Sequence, residues 1–224
     1  DMKKDNNKKN VDKLNSLNLR KLHYTNSLGT DFIVELGEGV IWCGADEKMP
    51  DGTPLIVNMP TEEIFTSPLK DSTNGIVYAS KPLIYNNTFI NNFWLRFENG
   101  KVVDFDSEVG KEVLDTLINF DEGSSMLGEV ALVEYDSPIS NSGILFYNTL
   151  YDENAACHLA LGVGFPSCYK NGVNMTKEEL LEVGVNQSNE HVDFMIGTSD
   201  LKIVGTTVDN EEILIFENGN FAWN

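Results

Sequence analysis

Two of the four Asn-Gly dipeptides, those in the strings Phe-Glu-Asn-Gly, constrain the architecture more than any other feature of this sequence. Asn99-Gly100 lies between the β-type runs Phe93–Phe97 and Val102–Phe105. Asn218-Gly219 follows the run Ile213–Phe216. Asn-Gly suits a type I′ turn, in which both central residues take positive φ, and that turn joins neighbouring antiparallel strands. The string Phe-Glu-Asn-Gly occurs at both places, but little around it matches, so the two read as separate hairpins and not as a duplication. Further short runs are Leu22–Tyr24, Phe32–Leu36, Val40–Cys43, Leu55–Asn58 and Ile76–Ser80. Gly29, Gly37, Gly39 and the turn signal Pro50-Asp51-Gly52 punctuate them.

Helical patterns are fewer. Val109, Val113, Leu114, Leu117 and Ile118 have helical spacing, with Ser107 as the expected cap. Thr176 followed by Glu179 forms a capping-box pattern that opens a second helix, closed by Gly184. Asp152–Leu161 contains good helix formers and is expected to be a short helix. Residues 2–17 are polar and Lys/Asn-rich, and read as a solvated helix or a linker. The fold class expected is α+β: a strand-rich mixed sheet domain with a few helices, lacking the βαβ alternation of a Rossmann fold. Neither a phosphate loop, a GxGxxG nor a GxSxG string is present.

The 224 residues carry a net charge of −19. The imbalance is uneven: residues 1–23 hold seven basic and three acidic residues, and the remainder holds nine basic and 32 acidic. Such a body repels phosphate backbones and anionic membranes, so neither nucleic acid nor membrane is an expected partner. Cations are favoured, either metal ions or substrates bearing an ammonium group. Three cysteines without CxxC spacing fit a reduced, cytoplasmic location.

Histidine is scarce, which makes its neighbourhoods informative. His191 and Asp193 are two apart in a β-like run and would project from one strand face. A nitrogen and an oxygen ligand so placed suit a divalent cation; a salt-bridged pair on an edge strand is the alternative. His158 follows Glu153 by five positions, about 140° apart around a regular helix. The two reach one site only if Glu153 sits in the entering turn. Glu129 is a lone carboxylate in the apolar run Leu127–Leu132, costly unless paired or metal-bound. Glu62 and Glu63 are adjacent acids after a strand, and opening a helix is their other reading.

Four segments carry a resemblance: NMPTEE (58–63), EGSSMLGEVALV (122–133), SPISNSGILFYNTLYDENAACHLALG (137–162) and NEHVDFMIG (189–197). In order and in residue type they resemble the thermophilic metalloproteases (M29), the aminopeptidase T and S type. The resemblance implies that residues 19–224 correspond to the family's C-terminal, metal-binding domain of a two-domain architecture. Residues 1–18 would then be a helical or linker segment arriving from an N-terminal domain. It also implies a metallo-aminopeptidase with two divalent metal ions, zinc first, with cobalt or manganese as alternatives. Peptides with a free N-terminus would be the substrates and a homodimer the assembly. The implied metal ligands are Glu63, Glu129, Glu153, His158, His191 and Asp193, with Glu129 bridging. Glu62 is the catalytic proton shuttle expected beside them. One departure is visible: Phe165 stands where family members commonly carry a tyrosine proposed to help in catalysis, unless Tyr147, Tyr151 or Tyr169 supplies that hydroxyl.

Five or six N/O ligands exceed one tetrahedral site and suit two cations sharing a carboxylate. Two rival readings stay open. One is a domain that binds cations but turns nothing over. The other is a two-carboxylate glycosidase, which leaves His158, His191 and Asp193 without roles.

Overall fold

The computed structural model describes residues 2–44, 46–48, 53–56 and 62–223. Its first half contains strands β1 (Leu19–Thr25), β2 (Asp31–Glu35), β3 (Cys43–Gly44), β4 (Asp46–Lys48), β5 (Pro54–Ile56), β6 (Ile64–Thr66), β7 (Asn74–Tyr78), β8 (Leu83–Tyr85), β9 (Thr88–Glu98) and β10 (Lys101–Val109). The second half contains β11 (Leu127–Leu132), β12 (His158–Gly162), β13 (His191–Met195), β14 (Lys202–Thr207), β15 (Glu212–Glu217) and β16 (Asn220–Phe221). The α-helices are α1 (Met2–Ser16), α2 (Lys111–Ile118), α3 (Pro138–Asn141), α4 (Thr149–Asp152) and α5 (Lys177–Glu182).

The larger sheet runs β10-β9-β7-β2-β1-β14-β15-β16, with β8 added to β9. The smaller runs β13-β12-β11-β6-β3, and β4 and β5 form a separate pair. The α+β, strand-rich expectation holds. Every ladder among the described residues is antiparallel, a narrower pattern than a mixed sheet. Both Phe-Glu-Asn-Gly sites turn hairpins as expected, with φ of 48° and 84° at Asn99 and Gly100 and 52° and 74° at Asn218 and Gly219. The Thr176–Glu179 capping box is present in full.

The two sheets share one core. Leu22, Tyr24, Phe32 and Leu95 of the larger sheet join Ile64, Val130, Leu132, Leu159, Leu161 and Phe194 of the smaller in a single buried cluster. Phe93 of β9 meets Phe194 of β13 with ring centroids 5.7 Å apart. The central strands β11 and β12 are buried along their whole length, which explains their near-continuous apolar sequences.

Three local expectations are corrected. Ser107 does not cap α2: the β9–β10 ladder extends to the pair Val109–Asn91, so Ser107 is still strand. The helix begins after Gly110, whose φ of 80° makes the corner, and buries Leu114, Leu117 and Ile118. Asp152–Leu161 is not a helix. Only α4 and a 3-10 turn, Glu153–Ala155, are helical, and His158–Leu161 lies in β12 because two flanking strands supply ladder partners that outweigh local propensity. The segment 2–17 is helical, but it is docked. Leu14 enters the core, Trp223 Nε1 donates to Asn10 Oδ1 at 2.9 Å, and Asn15 exchanges two hydrogen bonds with the Trp42 backbone. Pro50-Asp51-Gly52 and the end of the Leu55–Asn58 run lie outside the described residues. No helix among the described residues is long and apolar enough to cross a membrane.

Candidate metal centre

Strand register builds the site. In an antiparallel sheet, directly opposed residues point to the same face, and so do residues two apart along one strand. Glu129 opposes Ala160, and Ala160 opposes Asp193. His158 lies two residues before Ala160, and His191 two before Asp193. Phe65 opposes Ala131 on the same side, and Glu63 precedes Phe65 by two. One face of the smaller sheet therefore carries Glu63, Glu129, His158, His191 and Asp193. The alternate residues, including Ile64, Val130, Leu159, Leu161 and Phe194, face the shared core.

Small residues make room between these groups. Ala131, Ala160 and Gly162 stand on the polar face, leaving space above β11 and β12. At Gly162 the requirement is stricter: its φ is 109°, and a Cβ there would stand 2.1 Å from the Glu190 carbonyl oxygen. The β11–β12 ladder slips by one residue between Leu127 and Glu129, a bulge that sets the direction of Glu129.

The side chains converge. Ligand atoms of Glu63, Glu129 and His158 lie within 4.8 Å of one another, and so do those of Glu129, His191 and Asp193. Glu129 belongs to both triads. His158 Nε2 is 3.2 Å from Glu63 Oε2, and His191 Nε2 is 3.1 Å from Glu129 Oε2 and 3.3 Å from Asp193 Oδ1. His158 and Glu129 are almost wholly buried, whereas the side chain of His191 is 23% exposed, so the cluster opens on the His191 side.

The chemistry of this donor set fits a metal. Each imidazole has its Nδ1 against a backbone carbonyl, Ala156 at 3.1 Å for His158 and Val163 at 2.7 Å for His191. A carbonyl only accepts, so Nδ1 carries the proton and Nε2 turns its lone pair toward the carboxylates. That arrangement is repulsive unless a cation, whether proton or metal, lies between. In the ion-free chain the cation is a proton. Burial opposes charge on His158, yet its hydrogen bond to Glu63 and the nearby carboxylates push it up to about 10. Burial likewise opposes charge on His191, and Asp193 and Glu129 push it up to about 11. Burial raises Glu129 to about 7, against the pull of His191. Asp193 stays below its ordinary value despite burial, because His191 stabilises its charge. Its Oδ1 is nonetheless a buried oxygen without an aligned hydrogen-bond donor among the described residues.

Glu153 sits in the 3-10 turn that enters β12, the placement that lets it approach the site of His158. Burial, followed by the charges of Glu63 and Asp193, pushes it up to about 8. It belongs to neither triad, and neither does Glu62. The backbone of Glu62 is held from both sides: its N–H donates to Asn154 Oδ1 at 2.7 Å and its carbonyl accepts from Asn7 Nδ2 at 3.2 Å.

Phe165 lies beside the cluster, its ring centroid 4.9 Å from that of His191 and 5.1 Å from that of Phe65. Tyr147 and Tyr151 are exposed and pair with Phe89 and Phe146. The Tyr169 ring packs over Gly39. The placement of Phe165 against His191 and the anchoring of Glu62 by Asn154 were not legible in the sequence. The asparagine that follows Glu153 was the one local signal for the second, and its burial is known only from the fold.

The family model for the thermophilic metalloproteases (M29) matches residues 1–221. The chain belongs to this family. Among thermophilic metalloproteases, it is 49% identical over 213 residues to aminopeptidase AmpS of Bacillus subtilis, covering 95% of this chain and 52% of that protein. It is 49% identical to aminopeptidase 2 of Geobacillus stearothermophilus, covering 95% of this chain and 51% of that protein. The solved structure of wild-type AmpT from Thermus thermophilus superposes with a TM-score of 0.92 at 36% identity, covering 99% of this chain and 55% of that one. The chain thus spans about half the length of the relatives it matches. A 2,5-dihydroxypyridine dioxygenase from Pseudomonas putida KT2440 shares the fold alone, with a TM-score of 0.61 at 16% identity.

Proposed function

We propose that this chain is the metal-binding part of an aminopeptidase that removes N-terminal residues from peptides with the help of two divalent ions. The observation that carries the reading is the pair of ligand triads joined at Glu129. Glu63, Glu129 and His158 would hold one ion, and Glu129, His191 and Asp193 the other. Glu153 adds a carboxylate beside them. Zinc fits these nitrogen and oxygen donors, as do cobalt and manganese. The chemistry supplied by such a pair of bound ions is a water acidified toward neutrality and a polarised scissile carbonyl.

The chain's own residues do the rest. The Ala156 and Val163 carbonyls lock both imidazoles with Nε2 inward. Glu62, anchored through its backbone, takes the proton from the attacking water and delivers it to the leaving amine. Phe165 and Phe65 line one side of the opening at His191 with apolar rings. The carboxylates attract the α-ammonium of a peptide, which makes a free N-terminus a requirement. The expected assembly is a homodimer, which sedimentation of the chain decides.

The test is hydrolysis of leucyl p-nitroanilide and of short peptides by the chain. Activity abolished by a chelator, restored by a divalent ion and absent on N-acetylated peptides supports the reading. Chelator-resistant cleavage, or equal cleavage of acetylated peptides, overturns it. A second reading, a cation-binding domain without turnover, draws support from Phe165. Two bound ions without hydrolysis would favour it.

A further inference from the structure

Asn154 joins the two segments that bring acids to the site. It is wholly buried and immediately follows Glu153 in the turn that enters β12. Its Oδ1 accepts from the Glu62 N–H at 2.7 Å, across 92 residues of sequence. This N–H lies two residues before β6, where the ladder to β11 ends at the pair Leu132–Ile64. Both ladders of β6 end at Ile64, so beyond them the Glu62 backbone is held by side chains: Asn154 accepts from its N–H and Asn7 donates to its carbonyl. The anchor of Asn154 is itself held, since its carbonyl accepts from Ser137 Oγ, and Ser137 caps α3.

We infer that Asn154 is a positioning residue whose side-chain carbonyl sets the place of Glu63 against His158, and so sets the affinity for the ion held by Glu63, Glu129 and His158. The inference rests on the two-ion reading of the site. Partners that orient metal ligands typically change affinity by about 10–100-fold when removed. In this role Asn154 acts through the Glu62 backbone. Of the second triad, Glu129 lies on β11, the neighbour of β6, and His191 and Asp193 lie on β13, two strands further from the start of β6 that the Glu62–Asn154 contact adjoins. The effect is therefore selective for one ion.

The test is titration of the chelated chain with cobalt, followed by calorimetry and by the visible spectrum of the bound ions. Wild type, Asn154→Ala and Asn154→Asp are compared. Asn154→Ala is expected to weaken one ion by about 10–100-fold and leave the other unchanged. Asn154→Asp keeps an oxygen at the same place and is expected to recover most of that loss. Unchanged affinities in Asn154→Ala, or equal weakening of both ions, overturn the inference. If Asn154→Ala is too unstable to titrate, Asn154→Ser decides: its shorter side chain withdraws the acceptor from the Glu62 N–H, so selective weakening of one ion supports the inference, and unchanged affinities or equal weakening of both ions overturn it. A wild-type chain that takes up no ion would overturn the metal reading itself, and the inference with it.

Discussion

His191 Nε2 lies 3.1 Å from Glu129 Oε2, although the two residues are 62 positions apart and on strands separated by β12. The contact is made possible by Ala160, the small residue that stands between Glu129 and Asp193 in the register. It places an imidazole lone pair and a buried carboxylate where only a cation reconciles them.

Proton competition follows from this crowding. Glu129 and Glu153 are raised to about 7 and about 8, and His158 and His191 to about 10 and about 11. All four bind protons more tightly in the folded chain than in the unfolded one. Their contribution to stability is present at low pH and lost as pH rises, through about 7 to 8 for the acids and about 10 to 11 for the imidazoles. The ion-free chain should melt at progressively lower temperature from about pH 5 to about pH 9. Ion uptake displaces these protons, so the rise in Tm caused by manganese should grow over the same range. Calorimetry with chelator and with manganese measures both; a gain that shrinks with pH contradicts the account.

Glu62 is assigned proton transfer and no metal. Glu62→Gln keeps the backbone contacts to Asn154 and Asn7 while removing the base. It should lower kcat by about 10²–10⁴-fold with ion content unchanged. A variant with full kcat would transfer the role elsewhere, with Glu153 the next candidate.

Phe165 puts a phenyl ring against His191. Phe165→Tyr adds a hydroxyl donor beside His191, at the position where the family resemblance implies a tyrosine. Removing one such donor elsewhere costs about 10²–10³-fold in kcat. The substitution is expected to raise kcat at least tenfold, roughly a lower bound on that scale. Steady-state kinetics with ion content held constant checks it, and an unchanged kcat shows that the hydroxyl does not limit turnover.

Gly162 is tied to backbone and not to chemistry. Gly162→Ala would place a methyl 2.1 Å from the Glu190 carbonyl at a φ of 109°. The β12–β13 pairing that aligns His191 must then shift. A loss of more than about 2 kcal/mol is expected, together with weaker ion binding. Thermal melting and metal titration of the variant test this, and a wild-type Tm would contradict it.

The two hairpins were legible because Asn-Gly at each adjoins a β-type run; Asn74-Gly75 at the start of β7 and Asn171-Gly172 at a 3-10 turn show that the dipeptide alone does not fix a hairpin. The sequence showed His191 beside Asp193 because strand periodicity alone places them. It misread His158, because Asp152–Leu161 has helical propensity and only pairing with β11 and β13 makes it a strand. It missed the docking of α1, since the contacts of Asn10 and Asn15 with Trp223 and Trp42 join distant parts of the chain. The gathering of Glu63, Glu129 and His158 likewise depends on register across three strands, which no local pattern encodes. There the resemblance to a family supplied what periodicity did not.

The most direct measurement is the metal content of the purified chain, by atomic emission, in wild type and in His191→Ala. Two ions per chain are expected in the wild type, falling to one or none in the variant. Equal content in both proteins would contradict it.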